Sequence, residues 1–255
     1  MPGANGDRAA ELAERLRALR ARIAAACAQA GRLADDVTLV AVTKNFPASD
    51  VALLAALGVT DVGENRDQEA APKAAECAAR GLALRWHFVG QLQVNKCASV
   101  VSYADVVHSV DRLRLVRALG TRARAAGRVV TCLIQVRLDE AAEPAGGHDG
   151  QRGHDARPGE RGGALPADVP GLADAIAAED GLVLGGVMAV APLWAAPRPA
   201  FRRLREVAEL VRSEHPGAST ISAGMSGDLE DAIAEGATHL RVGTALLGGR
   251  QAFVR

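Results

Sequence analysis

Apolar positions in this chain follow two periods that take turns along its length. From Asp7 to Ala30, Leu12, Leu16, Leu19 and Ile23 recur at helical spacing with Arg and Glu between them. That spacing predicts a long amphipathic helix, which Gly31 ends. TLVAVT (38–43) reads as a buried strand followed at once by Lys44-Asn45-Phe46-Pro47. Ser49 or Asp50 is placed to cap the next helix, VALLAALG. The unit then repeats. DVGEN (61–65) is a strand, followed by the helix RDQEAAPKAAECAARG, which tolerates Pro72 only near its first turns. WHFVG (86–90) is the third strand and DVVHSV (105–110) the fourth, with a helix from Asp111 to Ala126. RVVTCLIQVRL (128–138), LVLGGVMAV (182–190), STISAG (219–224) and THLRVGT (238–244) complete eight. Eight strands alternating with helices predict an α/β fold, a single TIM-type (β/α)8 barrel with an extra N-terminal helix.

The length of 255 residues suits one such barrel, so residues 1–255 are expected to form a single domain. A hydrophobic content of 49% supports one large core, and no apolar run is long enough to span a membrane. The first residues, MPGANGDRAAELAERL, lack the apolar centre of a signal peptide, which points to the cytoplasm. Thirty basic and 30 acidic residues cancel, and aromatics are only 3%, so neither a basic field nor a stacking platform favours nucleic acid. Cys27, Cys77, Cys97 and Cys132 show no CxxC spacing and read as reduced, mainly structural thiols. One stretch breaks the rhythm. Glu140 to Ala164 has no apolar period and is rich in Gly, Pro, Arg and Asp, a long loop insertion after the fifth strand. His148, Asp149, His154 and Asp155 lie in it; a solvated flexible loop is preferred to a metal site, because no rigid element fixes ligand geometry.

The candidate chemistry sits at strand ends, where barrels of this type carry their sites. In the last quarter, Gly224-Met225-Ser226-Gly227 and Gly243-Thr244 each follow a strand. They read either as a phosphate-binding pair of turns, with Ser226 capping a helix from Gly227, or as ordinary turns. Only Lys44, Lys73 and Lys96 are lysines, and Lys44 emerges directly from an apolar strand. Desolvation there would favour the neutral, nucleophilic amine. A carbonyl compound bearing a phosphate would satisfy both ends of such a cavity, and pyridoxal 5′-phosphate (PLP) is one. Asn65 is a ring-contact candidate or a turn residue. His87 and His108 read as interior, hydrogen-bonded histidines. Gln91, Gln93, Asn95 and Lys96 form a polar loop in which Lys96 is a candidate second amine or phosphate contact. Arg241 either reaches a bound ring or makes a layer salt bridge with a carboxylate such as Glu64.

AVTKNFP (41–47), VGENRDQE (62–69), WHFVGQLQVNK (86–96), VHSVDR (107–112), GGVMAVAP (185–192), GMSGDLEDAIAEGATHLRVGT (224–244) and GGR (248–250) occur in order over nearly the whole chain. Together they resemble the pyridoxal phosphate homeostasis proteins, PLP-binding barrels of the alanine-racemase type. Two positions differ from that family's usual pattern: Ala223 where Met is common and Leu247 where Phe is common. The resemblance implies that Lys44 holds PLP as a Schiff base. It implies that Met225, Ser226, Gly243 and Thr244 hold the phosphate, that Arg241 lies near the pyridine nitrogen and that Asn65 lies near the ring. It also implies a carrier of PLP for apo-enzymes, without turnover. Monomer is the expected state.

A PLP-dependent amino-acid racemase is the alternative. It needs a proton carrier on each face of the substrate. Tyr103 is expected at the opposite end of the barrel, which leaves Cys97 or His87 to replace it. A Schiff-base aldolase is a third reading, disfavoured because no carboxylate and second lysine are expected around Lys44.

Overall fold

Short apolar segments that cannot bury themselves alone close here into a ring. The computed structural model describes residues 4–138, 162–192 and 194–249. α1 (Ala4–Gln29) precedes β1 (Thr38–Val42), and α2 (Ala48–Ala56) leads to β2 (Asp61–Glu64). α3 (Asp67–Ala79), β3 (Arg85–Phe88), α4 (Cys97–Tyr103) and β4 (Val106–Val110) follow, then α5 (Leu113–Ala126) and β5 (Val130–Gln135). The second half runs α6 (Val169–Ala177), β6 (Leu182–Met188), α7 (Pro197–Glu214), β7 (Thr220–Ser222), α8 (Leu229–Ala234), β8 (His239–Val242) and α9 (Thr244–Leu247). The strands pair in sequence order, all parallel, and β8 returns to β1. The eight-stranded barrel with an added N-terminal helix is therefore as expected.

The burial pattern explains why the strands read as continuous apolar runs. Every residue of β2 and β4 is buried, because a parallel barrel strand has side chains on one face and helices on the other. Leu12, Leu16, Leu19 and Ile23 of α1 are all buried, and α1 packs on α8 and α9. Gly127 stops α5 in a left-handed conformation, φ 61°, that a residue with a Cβ adopts at a cost.

Local corrections follow. Ser49 and Asp50 do not cap α2: Pro47 holds that position, and Asp50 turns instead to Arg8 of α1 at 2.6 Å. The strand pattern does not single out α4, α6 and α7. The polar loop after β3 tightens into a single 3-10 turn at Val94–Lys96 and runs straight into α4. The segment after β5 is anchored where it re-enters the described residues. Val136 bridges Ala164, and the Gln135 side-chain amide donates to the Gly162 carbonyl at 2.6 Å. The rest of the Glu140–Ala164 stretch, including His148, Asp149, His154 and Asp155, lies outside the described residues, as does Arg250.

Candidate functional site

Parallel strands bring all their C-terminal ends to one mouth. Lys44 is the second residue after β1, and its side chain is exposed rather than desolvated. Among the described residues no group bonds its amine. The backbone on both sides is held firmly. The Thr43 N–H donates to the Gly63 carbonyl (2.9 Å), and its hydroxyl donates to Glu64 Oε1 (2.7 Å). The Asn45 N–H donates to Glu69, and Asn45 sits at φ 67°, in the left-handed region. Lys73 connects these contacts. Its Nζ donates to the Thr43 carbonyl (2.9 Å), to Glu64 Oε1 (2.6 Å) and to Glu69 Oε1 (3.1 Å). Burial raises the Glu64 carboxyl above its ordinary range despite the pull of Lys73 and Thr43.

A carboxylate and a second lysine thus do flank the Lys44 turn, against the sequence expectation. All three Lys73 donors are committed, so this pair acts on the turn's backbone. The i, i+4 spacing of Glu69 and Lys73 on a helix was the sequence signal for it.

Asn65, just beyond β2, is half-buried. Its carbonyl presses so closely on Gly90 that a Cβ there would lie 2.0 Å from it, which only glycine avoids. Lys96 does not join the two glycine turns; it faces Asp67, at 3.8 Å.

Those turns meet each other. The Ser226 hydroxyl oxygen accepts the Ala245 N–H at 3.1 Å, and Arg22 of α1 donates to the Ser226 carbonyl at 2.8 Å. Ser226 therefore does not cap the helix after it. Asp228 stands at the cap position of α8 and accepts the Met225 N–H at 2.6 Å. Among the described residues, no acceptor takes the backbone N–H of Ser226, Gly227, Gly243 or Thr244. Thr244 is exposed and begins α9.

Arg241 is 5% exposed. It donates from Nη1 to Ser222 Oγ (2.6 Å) and from Nη2 to the Ala189 carbonyl (2.8 Å). Burial lowers its pKa to about 10, which still leaves it charged at neutral pH. The alternative bridge to Glu64 does not form; Glu64 pairs with Lys73 instead. His87 and His108 are interior and hydrogen-bonded, as expected. His87 contacts Asp61 (2.9 Å) and His108 (2.8 Å), and His108 contacts Ser222 (3.0 Å). Burial pushes the His108 pKa well below the ordinary histidine range.

The substitutes for a second racemase base are poor. Burial pushes the Cys97 thiol up to about 11 and Cys132 up to about 12. Tyr103 packs edge-on against Trp86, near the start of β3 and so toward the far end of the barrel. Burial raises its hydroxyl further above the usual range. Among the described residues no group of three or more metal-ligating side chains occurs.

The alanine racemase N-terminal domain family matches residues 15–251. A pyridoxal phosphate homeostasis protein of Mycobacterium tuberculosis (strain ATCC 25618 / H37Rv) is 41% identical over 96% of this chain and 95% of its own length. The chain belongs to the pyridoxal phosphate homeostasis protein family. Another member, from Escherichia coli (strain K12), is 33% identical over 94% of this chain and 97% of its own. A solved structure of PipY from Synechococcus elongatus PCC7942, with PLP bound, is 33% identical with a TM-score of 0.76, covering 93% of this chain and 100% of that one. The alanine racemase of Corynebacterium glutamicum is similar to this chain in fold, at 13% identity and a TM-score of 0.64, over 97% of this chain and 62% of the racemase.

Proposed function

We propose that this chain binds PLP in intracellular PLP homeostasis, holding it as a reversible Schiff base on Lys44, and that it is a carrier without catalytic turnover. The observation that carries the reading is the contrast at Lys44 itself. The amine is exposed and uncommitted, while the backbone on either side is clamped through Thr43 and Asn45. An amine that must attack a carbonyl needs this combination of freedom and fixed origin.

The donor set suits the rest of the cofactor. The N–H groups of Ser226, Gly227, Gly243 and Thr244, which have no acceptor among the described residues, match a phosphate, and the Ser226 hydroxyl proton adds a donor because its oxygen is already used as an acceptor. In this reading Met225, Ser226, Gly243 and Thr244 hold the phosphate and Asn65 lines the ring. Arg241 faces the pyridine nitrogen. Bound PLP supplies an electron sink for carbanions. Arg241 keeps its own proton at neutral pH and so would not protonate the ring nitrogen, which weakens that sink. A second proton carrier for racemisation has no good candidate among Cys97, His87 and Tyr103. The same reading makes the protein a cytoplasmic monomer that passes PLP to apo PLP-dependent enzymes.

Addition of PLP to the purified protein should give a visible absorbance band that Lys44→Ala abolishes. Retention of the band in that variant would remove Lys44 as the anchor. Steady racemisation of any amino acid by the loaded protein would contradict the carrier role.

A further inference from the structure

Five buried side chains from five strands form one unbroken hydrogen-bonded line. Asp61 of β2 contacts His87 of β3, His87 contacts His108 of β4, His108 contacts Ser222 of β7, and Ser222 accepts from Arg241 of β8. β5 and β6 separate β4 from β7 along the sheet, so the His108–Ser222 bond crosses the barrel interior. His108 and Ser222 are 0% exposed and His87 is 1% exposed.

The two ends set a proton order for the line between them. Arg241 can only donate. Asp61 accepts at its other oxygen from the Thr60 hydroxyl at 2.7 Å. Burial alone would raise the Asp61 carboxyl, but the bonds from His87 and Thr60 bring it below its ordinary value, so it is an acceptor. With Asp61 accepting, a single proton on His87 lies on Nε2. His87 Nδ1 is then an acceptor and takes Nε2–H of His108. His108 Nδ1 is bare in turn and takes the Ser222 O–H. The Ser222 oxygen is left with lone pairs for Arg241. All donors point the same way, from Arg241 to Asp61.

We propose that Asp61, His87, His108 and Ser222 are positioning residues for Arg241, a directional relay that presents an acceptor to one guanidinium nitrogen and so fixes how the remaining N–H groups meet a PLP ring. This rests on the function proposed above. The Ala189 carbonyl holds the second nitrogen, so removal of the relay leaves the guanidinium tethered at one point instead of two. A packing role alone would affect stability. A positioning role also changes the electronic surroundings of the bound cofactor.

The test combines an apo measurement with a loaded one. Nitrogen NMR of the apo protein at neutral pH should find both His87 and His108 neutral and protonated on Nε2. Ser222→Ala, confirmed as folded by thermal unfolding, should weaken PLP binding by about tenfold, the scale of one lost hydrogen bond to a charged group. It should also shift the absorbance maximum of bound PLP, with borohydride still labelling Lys44. Ser222→Thr, which keeps the hydroxyl, should restore both. Asp61→Ala, at the far end of the line, should shift the maximum in the same direction by less. An Nδ1–H tautomer on either histidine overturns the relay. So do Ser222→Ala and Asp61→Ala proteins with wild-type affinity and spectrum. A wild-type chain that takes up no PLP overturns the proposed function and the relay's role together. Wild-type uptake with unaffected variants overturns the relay alone.

Discussion

Lys44 and Arg241 are the two cations proposed to meet the cofactor, and they are built in opposite ways. Arg241 is buried, with two of its nitrogens on fixed acceptors. Lys44 is exposed, and only its backbone neighbours are held. The contrast follows from what each group can do. A guanidinium keeps its proton and recognises by geometry, so holding the side chain costs no reactivity. An amine must lose a proton and move to form a covalent bond, so the protein fixes the turn and leaves the side chain free. The supports differ as well. The Lys44 turn rests on a charged cluster, Lys73 with Glu64 and Glu69, whereas Arg241 rests on a line of two imidazole rings and a hydroxyl that ends at Asp61.

The sharpest way to break this comparison is at Lys73. Lys73→Met leaves Glu64 buried without its counter-charge and should cost about 3–5 kcal/mol in denaturant unfolding. Pairing it with Glu64→Leu should recover much of that loss, because both buried charges are then gone. A Lys73→Met protein as stable as wild type would mean that the cluster does not hold the turn.

An effect on the order of 2–3 kcal/mol is expected from acid on the Arg241 side. Burial lowers the pKa of His239 to about 4 and pushes His108 down as well. Unfolded histidine titrates near 6.5, so below that pH the unfolded chain holds more protons than the folded one. Stability should therefore fall as pH drops from about 6.5 toward 4 and be fully kept above that window. Urea melts at pH 7.5 and 5.0 check this, and His239→Gln should flatten part of the slope.

Gly90→Ala should cost about 1–3 kcal/mol, since the added Cβ meets the Asn65 carbonyl and forces backbone to move. Thermal melts measure that loss, and weaker PLP binding should accompany it as Asn65 shifts. The smallest effect belongs to Lys44→Ala. An exposed side chain without a partner among the described residues should change stability by less than about 0.5 kcal/mol, although the same variant should lose cofactor attachment. A large stability loss would mean that Lys44 is structural.

The barrel was legible because most residues of its parallel strands are buried, β2 and β4 throughout, and the apolar runs are bounded by turn residues. The glycine turns and Lys44 stood out because they follow strands directly. The interactions that hold them were harder to find. Glu64 and Lys73 are nine residues apart on a strand and a helix, and only closure of β2 against β1 brings the pair under Thr43. His87 and Ser222 are 135 positions apart in the chain, and no local period predicts that a barrel places them on one line. Ser226 reads as a cap because its hydroxyl looks local in sequence, whereas its partner is the N–H of Ala245 across the mouth.

The most direct test of the account is to load the protein with PLP, reduce with borohydride and map the modified lysine by mass spectrometry. The account predicts label on Lys44 alone, with Lys73 and Lys96 untouched. Label on Lys73 or Lys96, or no label at all, would contradict it and leave the two glycine turns to a different phosphate.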